Sequence, residues 1–337
     1  MSQNKKLKIC DSVIHPGEIA NLALPLPEKY SCAPLYMPIK VIHGKKEGPC
    51  LVILSVLKGT ELNGLEITHR ISASLDPAKI SGTIITVPVV NVYGLTHYPA
   101  TLPSGDNLSD CFPGKENGSY GERIAHIVTH EILKKADYAI ELQTGGLNHN
   151  ILPQIYCNFD NIKAKELAKV FQAPVVTDVS VKSNSLRTTT EDLQIPLLVY
   201  QAGEAMRFDE TAINLGYEGV INVMRYVNIL QKAPQKEMNP IFSRDEDWIL
   251  APKGGILHSN IPLGSTIKKG DVIGTIKDPF GVDALESVKS RSEGIIVGIN
   301  TIPLIHEGLP IFKIASFLDY DRAESVIEKW SQKHPES

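Results

Sequence analysis

The sequence predicts an α/β protein whose mostly parallel, mixed sheet is flanked by helices and followed by a small C-terminal all-β barrel or sandwich. The first observation is the run 51–57, almost purely apolar and rich in β-branched residues, which is typical of a strand buried on both faces. The second is the alternation of such runs with helix-length segments between residues 35 and 230. The third is a change near residue 240, after which short strands are separated by glycine turns.

The elements follow in order from these patterns. Two strands at 35–42 and 50–57 are separated by a glycine-rich turn at 44–48. A buried strand at 83–90 leads into a loop rich in Pro, Gly and Ser that runs to about residue 119, a length typical of functional or disordered loops. Helices are predicted at 62–75, 120–135, 161–171, 210–230 and 319–333, and further strands at 138–142, 154–158, 175–177 and 196–200. We therefore predict an α/β domain at 1–240 and a β-domain with a closing helix at 241–337.

Composition narrows the classes of function. The chain has 337 residues, enough for about two domains, and 34 Lys+Arg against 38 Asp+Glu give a net charge of −4. This mildly acidic balance argues against a general nucleic-acid binder. Without a long apolar run or a signal-peptide pattern, we expect no membrane partner and a cytoplasmic location. Reduced thiols are expected for the scattered cysteines, which are Cys10, Cys32, Cys50, Cys111 and Cys157.

Polar, glycine-rich segments follow three of the predicted strands. They occupy residues 57–64, 141–146 and 200–204, and the long loop adds a similar segment at 104–114. Ligands of parallel sheets bind beyond the carboxyl ends of the strands. Any one of these segments could equally serve to cap the helix that follows it. Four such segments at the same edge of the sheet predict a binding pocket.

Five segments, in one order, resemble the succinylglutamate desuccinylase/aspartoacylase family, a branch of the zinc carboxypeptidase-like hydrolases. Residues 58–64 resemble the family's His-Gly-Asp-Glu-x-Asn-Gly motif, and 87–91 resemble its Val-Pro-x-x-Asn segment. Residues 107–114 are similar to its Asp-Leu-Asn-Arg-x-Phe-Pro-Gly loop, 141–145 to Asp-Leu-His-Thr-Gly, and 195–203 to Ile-Pro-x-x-x-x-Glu-x-Gly. The resemblance extends to the C-terminal β-domain and implies the zinc carboxypeptidase-like fold.

The resemblance also implies an N-acyl amino acid deacylase that holds zinc through two His and one Glu. At the three ligand positions this chain has Lys58, Glu61 and Gln143. The family's general acid/base Glu corresponds to Gln201, which is the candidate catalytic residue here. The candidate substrate-binding residues are Asn63, Asn91, Asn107, Ser109, Asp110 and Thr144.

These departures favour a non-hydrolytic pseudoenzyme or small-molecule-binding module. The ammonium of Lys58 and the amide of Gln143 are poor zinc ligands, so no metal cofactor is expected. Gln201 cannot move a proton near neutral pH. We hypothesise that a Lys58–Glu61 ion pair replaces the metal, because a buried carboxylate without a counter-charge is costly. The expected partner is a small, amino-acid-like molecule, and Asp110 favours its amine.

Two alternatives stay open. The first is an active metal-dependent amide or ester hydrolase of the same family, with zinc as its cofactor, that uses relocated ligands such as His149 together with Glu61. Other candidates for a relocated site are His97, Cys111 and the pair His126 and His130. The second is a regulatory partner of an active homologue, and a homo-oligomer is left open as well.

Overall fold

The computed structural model of the protein describes residues 3–27, 34–97, 101–179, 184–234, 239–281, 285–317 and 320–333. The strands up to residue 203 are β1 (Leu7–Ile9), β2 (Ser12–Ile14), β3 (Ile19–Pro25), β4 (Tyr36–His43), β5 (Lys46–Ser55), β6 (Ser81–Val87), β7 (Tyr138–Gln143), β8 (His149–Cys157), β9 (Val175–Asp178) and β10 (Leu197–Gly203). The helices are α1 (Leu62–Ser74), α2 (Val92–His97), α3 (Tyr120–Ile127), α4 (Ile162–Phe171), α5 (Leu186–Asp192), α6 (Glu210–Tyr226) and α7 (Tyr320–Lys333). The later strands are β11 (Ile241–Ser243), β12 (Asp245–Leu250), β13 (Gly255–His258), β14 (Thr266–Ile267), β15 (Val272–Lys277), β16 (Glu286–Lys289), β17 (Gly294–Asn300), β18 (Leu304–Ile305) and β19 (Pro310–Ser316).

Within the described ranges, one mixed sheet of thirteen strands forms the centre of the molecule. Its main order is β12-β19-β17-β8-β10-β7-β5-β6-β4-β3. The strands β10, β7, β5 and β6 run parallel to one another, and the strands outside them are mostly antiparallel. This arrangement, with helices on the sheet, confirms the predicted fold class.

Both faces of the sheet are covered, as the apolar run in β5 predicts. Leu51 and Ile53 belong to one core cluster, packed under α1, α4, α6 and α7. The alternate residues Val52 and Leu54 belong to a second cluster, with α3, α5 and the loop before α3. Successive strand residues point to opposite faces, so an all-apolar strand requires cover on both.

The C-terminal strands continue the central sheet instead of forming a detached barrel. β17 pairs with β8, and β19 and β12 follow it in the same sheet. A separate four-stranded antiparallel sheet has the order β16-β15-β13-β18, and it shares a third apolar cluster with β12, β17 and β19 of the central sheet. The division at residue 240 stays a prediction, and residues 235–238 beside it lie outside the described part of the chain.

Several elements differ from their predicted bounds. The strands β1, β2 and β3 and the helices α2 and α5 were not predicted, because short segments lack a clear period. The helix predicted at 120–135 is α3 continued by a π-helical turn at Val128–Ile132 and a 3-10 turn at Leu133–Lys135. The strand predicted at 154–158 begins at His149. The predicted closing helix corresponds to α7.

The turn after β5 positions the first candidate site segment. Val56 has a positive φ of 53°, which is strained for a β-branched residue, and this ends the strand at Ser55. Two backbone hydrogen bonds hold the turn: Val90 donates to Ser55 at 3.1 Å and Asn91 donates to Val56 at 2.9 Å. Beyond it, Gly59 lies so close to Gly94 that an added Cβ would overlap the Gly94 carbonyl group.

No helix in the described residues is long and apolar enough to cross a membrane. Four cysteines (Cys10, Cys50, Cys111 and Cys157) are free thiols in the structure, and Cys32 lies outside the described residues.

We predict that Gly59→Ala lowers the free energy of unfolding by about 2 kcal/mol or more, because its new methyl group meets backbone that cannot move independently. Chemical denaturation measures the change. Gly254→Ala is the matched control, since its nearest neighbour to an added Cβ is at an ordinary 3.5 Å. Equal stability of the two variants would contradict the close contact between Gly59 and Gly94.

Candidate functional site

Two buried carboxylates lie at the centre of the candidate site. Glu61 follows β5 and is 1% exposed, and Glu141 lies in β7 and is 3% exposed. The Glu61 carboxylate accepts a hydrogen bond from the backbone N–H of Lys58 at 3.1 Å. Burial raises the pKa of Glu61 to about 7. The nearby charge of Glu141 raises this pKa further, whereas the Lys58 ammonium lowers it. Burial raises the pKa of Glu141 as well.

The hypothesised Lys58–Glu61 ion pair is not formed as a direct contact. Among the described residues, no ion pair at contact distance joins the Lys58 ammonium to either carboxylate; the short contact is made by the Lys58 backbone. The ammonium acts at longer range, where it lowers the pKa of both Glu61 and Glu141. The backbone N–H groups of residues 57 and 58 point at the Glu61 carboxylate and partly compensate the negative charge of that carboxylate.

A hydrogen-bonded row of side chains crosses three neighbouring strands, and we call it the amide chain: Glu141, Gln143, Gln201 and Tyr156. Gln143 Nε2 donates to Glu141 Oε1 at 2.6 Å. Gln201 Nε2 donates to Gln143 Oε1 at 3.4 Å and to the Thr144 carbonyl at 3.0 Å. Tyr156 OH donates to Gln201 Oε1 at 3.2 Å. The strands bring these residues together because Gln201 lies opposite Gln143 in the parallel pair β10–β7.

The amide chain fixes which way each amide points. Gln143 must direct its NH₂ group at Glu141, which leaves its oxygen toward Gln201. The NH₂ group of Gln201 then donates to Gln143 Oε1 and to the Thr144 carbonyl, and the Gln201 oxygen accepts a hydrogen bond from the Tyr156 hydroxyl. An ionised Glu at position 201 has no donor for those two acceptors, so the surroundings match Gln and not a carboxylate.

The outer end of the amide chain reaches the C-terminal strands. Gln154 Nε2 donates to Tyr156 OH at 2.6 Å, and Lys313 Nζ donates to it at 2.9 Å. The Tyr156 hydroxyl oxygen also lies 3.0 Å from Glu246 Oε2, so Glu246 and Gln201 share its single proton, and Glu246 forms an ion pair with Lys313. Burial, followed by the Glu246 charge, raises the pKa of Tyr156 well above its ordinary value.

Arg187 is a candidate binding residue that no sequence motif indicated. It lies in the first turn of α5, and its guanidinium is 5.7 Å from the Tyr156 ring centroid. Its charge lowers the pKa of both Glu141 and Tyr156. Among the described residues it forms no ion pair at contact distance, so a half-buried cation is left to meet an anionic ligand group.

Two of the predicted substrate-binding residues make hydrogen bonds that hold the local structure. Asn63 is 1% exposed; it donates to the Ala202 carbonyl at 3.3 Å and accepts from Asp209 N at 3.0 Å. Asn91 is fully buried; it donates to the Leu57 carbonyl at 3.2 Å and accepts from Gly94 N at 2.8 Å. With their amides hydrogen-bonded inside the protein, they hold the turns around the site, and their contact with substrate stays a prediction.

The other predicted substrate-binding residues are placed differently. Asn107 accepts from Ser109 N at 3.4 Å and thereby caps the 3-10 turn Leu108–Asp110. Ser109 Oγ is buried without a hydrogen-bond partner, and Asp110 is exposed. Thr144 is 2% exposed, and its hydroxyl donates to the Gly145 carbonyl at 3.0 Å. Ligand contact by Ser109, Asp110, Asn107 and Thr144 stays a prediction.

The structure does not assemble the relocated metal site. The ring of His149 packs against Trp248, with centroids 4.7 Å apart, and its Nε2 lies 3.3 Å from Asn300 Nδ2. Both contacts come from C-terminal strands. Throughout the described ranges, no three His, Cys, Asp or Glu side chains are grouped so that they could hold a metal ion.

The remaining candidates for a relocated site also have ordinary contacts. His97 stacks on Tyr93 with ring centroids 4.4 Å apart. Cys111 Sγ donates to the Asn107 carbonyl at 3.4 Å. His126 and His130 stack on each other, 3.9 Å apart, on the helix surface.

The fold and the site segments together define the class of protein. A sequence model described as the succinylglutamate desuccinylase/aspartoacylase catalytic domain matches residues 47–227, more than half of the chain. The protein belongs to this family. All the site segments that carry the resemblance fall within the matched range.

Individual relatives agree with this assignment. The N-alpha-acetyl-L-2,4-diaminobutyric acid deacetylase of Halomonas elongata is 24% identical over 297 residues, covering 84% of this chain and 86% of that protein. A succinylglutamate desuccinylase from a Silicibacter species has a TM-score of 0.82 at 20% identity, over 94% of this chain and 100% of its own. The product-bound ectoine utilization protein EutE of Ruegeria pomeroyi has a TM-score of 0.80 at 21% identity, over 88% of this chain and 95% of its own. The two structures support the fold.

The side chains at the three ligand positions do not fit zinc. Lys58 offers an ammonium, which has no lone pair until it loses a proton. Gln143 offers an amide whose NH₂ group is bound to Glu141 and whose oxygen is bound to Gln201. Glu61 alone is a competent ligand, and its carboxylate is turned to backbone N–H groups. A single carboxylate does not make the three-ligand set of catalytic zinc sites.

We predict that Gln201→Glu destabilises the protein by about 1–3 kcal/mol at pH 8 and by less at pH 5. The half-buried carboxyl has to be protonated to donate to Gln143 or Thr144, so its folded pKa is raised and the penalty grows as pH rises. Denaturation at both pH values measures the difference. Gln194→Glu, at an exposed position, is the control. A penalty independent of pH would contradict the orientation of the Gln201 amide.

We predict that Glu61→Gln removes a pH dependence of stability. Since the folded pKa of Glu61 is raised from 4.5 to about 7, its stabilising contribution is present below pH 4.5 and is lost as pH rises to 7. The difference between parent and variant should change by about 3 kcal/mol across that window. Glu116→Gln, at an exposed position, is the control. Parallel pH profiles for the parent and Glu61→Gln would contradict the buried state of Glu61.

Proposed function

We propose that this protein binds a small amino-acid-like molecule and does not hydrolyse acyl amino acids by the zinc route of its family. The observation that carries the proposal is the amide chain. In it the amides of Gln143 and Gln201, which the resemblance assigns to the family's second zinc His and general acid/base positions, are hydrogen-bonded to neighbouring groups. An amide neither activates a water nor transfers its proton near neutral pH. The proposal is therefore a pseudoenzyme with a degenerate zinc site.

Two charged groups support an amino-acid-like ligand. The guanidinium of Arg187 forms no ion pair in the described part of the chain and suits a carboxylate. The exposed carboxylate of Asp110, which the resemblance assigns to substrate binding, suits an ammonium group. The deacetylase relative is named for an acetylated diamino acid. We propose a free or acylated amino acid as the ligand class, and a cytoplasmic location in keeping with the free thiols.

The second candidate function is an active amide or ester hydrolase that holds zinc through other residues. Membership of a deacylase family favours it. The binding protein and the hydrolase differ in the zinc that they hold and in the product that they form. Measurements of zinc content and of product formation therefore decide between the two functions.

We predict well below one zinc per chain after purification in zinc-replete buffer and desalting, measured by elemental analysis. The double variant Lys58→His/Gln143→His completes a His₂Glu set with Glu61 and should hold close to one zinc. His at position 143 also keeps a ring N–H for Glu141. A parent value near one would overturn the proposal. A double variant without zinc would contradict the assignment of these positions.

The ligand proposal is tested by thermal shift with free and N-acylated amino acids, together with an assay for released acyl groups. We expect a rise in melting temperature without product. The rise should be lost in Arg187→Gln, which removes the cation, and kept in the exposed control Arg207→Gln. Product formation that is lost in Glu61→Gln would favour the hydrolase.

A further inference from the structure

A second cleft lies at the end of the parallel strands that is opposite to Glu61, and we call it the basic cleft. It has a volume of ≈ 680 Å³. Its lining includes Lys46, the first residue of β5, and Ser81, the first residue of β6. Glu61 follows the other end of β5, whose ten residues rise about 3.3 Å each. The basic cleft and the candidate site are therefore separate, about 30 Å apart.

Every ionisable side chain in the lining of the basic cleft is a cation. These side chains are Lys46, Lys79, Arg225 and Lys232. No Asp or Glu from the described part of the chain lines the cleft, although the whole chain has a net charge of −4. A concave surface that carries charge of one sign concentrates ions of the opposite sign. The basic cleft therefore attracts an anion.

The cations of the basic cleft are not neutralised by neighbouring acids. Among the described residues, Lys46, Arg225 and Lys232 form no ion pair at contact distance. Lys79 has a long contact of 3.9 Å with Asp76, and both side chains are exposed. Arg225 is half-buried, so water screens its charge less and an anion beside it gains more. The positive charge of the cleft is therefore available to a ligand.

Backbone hydrogen bonds fix the walls of the basic cleft. Ser81 N donates to the Ile229 carbonyl at 2.9 Å, which joins β6 to the segment after α6. The Met224 carbonyl, near the end of α6, accepts from Ile229 N at 2.8 Å and from Leu230 N at 3.1 Å. A carbonyl at the end of a helix repels an anion when it is left bare, and these donors occupy one of them. The cleft is thus preformed, with part of the negative end of α6 satisfied inside the protein.

We propose that the basic cleft binds the diphosphate group of a small molecule. A phosphate group carries a charge of about −1.5 to −2 near neutral pH, so two of them come close to balancing four cations. The planar fork of Arg225 suits two phosphate oxygens at once, and the side chains of Ser81, Asn228 and Gln231 add neutral donors. The inference goes beyond the proposed function, because none of the lining residues belongs to the site around Glu61.

Calorimetric titration of the full chain with inorganic diphosphate, at physiological ionic strength and without divalent cations, tests the proposal. We expect saturable binding that is about tenfold or more tighter than binding of orthophosphate, since the second phosphate contacts further cations. Titration with ADP separates two sources of the group. Tighter binding of ADP than of inorganic diphosphate assigns the cleft to an organic diphosphate, and weaker binding assigns it to the inorganic ion.

Two double variants of equal charge separate the basic cleft from diffuse attraction. Lys46→Gln/Lys232→Gln removes two exposed cations of the cleft and should weaken diphosphate binding about tenfold. Lys268→Gln/Lys289→Gln removes two exposed cations outside the cleft and should leave binding unchanged. Because all four side chains are exposed, we expect the melting temperatures of both variants to stay close to that of the parent.

Three results would overturn the proposal. They are equal diphosphate binding by the two double variants, orthophosphate binding as tight as that of diphosphate, and the absence of saturable binding by the parent. Neither zinc content nor amino acid binding enters these titrations, so their failure leaves the proposed function of the Glu61 site unaffected.

Discussion

The amide chain is the constraint on which the site depends. It starts at a buried carboxylate, Glu141, whose need for a donor sets the direction of every hydrogen bond that follows. Glu141 and Gln143 lie on β7, Gln201 on β10 and Tyr156 on β8, so the strand order β7, β10, β8 gives an ordered line of side chains. Its far end is held by a lysine and a glutamate of the C-terminal strands, which ties those strands to the site.

The same constraint links the residues that the sequence resemblance assigns to the family's metal and catalytic positions. A histidine in place of Gln143 offers a ring nitrogen to zinc, but glutamine offers an oxygen that Gln201 already uses. Gln201 in turn needs its amide to meet an oxygen of Gln143 and a carbonyl. A carboxylate there would conflict with both. The changes form one consistent hydrogen-bonding scheme, in which Glu61 is held by backbone N–H groups and by the distant charge of Lys58.

Much of the fold and part of the candidate site were predictable from the sequence, and the features that were not predictable have physical reasons. The apolar run of β5 predicts its burial on both faces, and the order of motifs predicts the family. The internal hydrogen bonds of Asn63 were not predictable, because a motif marks a position but not what the side chain contacts. Tyr156 and Lys313 were missed, because the strand pairings that bring them together join distant segments without a common motif. Arg187 was missed because it comes from the short helix α5. The strain at Val56 has no sequence signal either, since β-branched residues rarely adopt positive φ.

A crystal structure of the protein grown with zinc, with anomalous diffraction recorded at the zinc edge, tests the central claim most directly. The account predicts no anomalous peak beside Glu61, with Gln143 and Gln201 at hydrogen-bond distance from each other and Gln143 on Glu141. A zinc peak about 2.0–2.2 Å from a Glu61 carboxylate oxygen, with Gln143 swung away from Glu141, would contradict it.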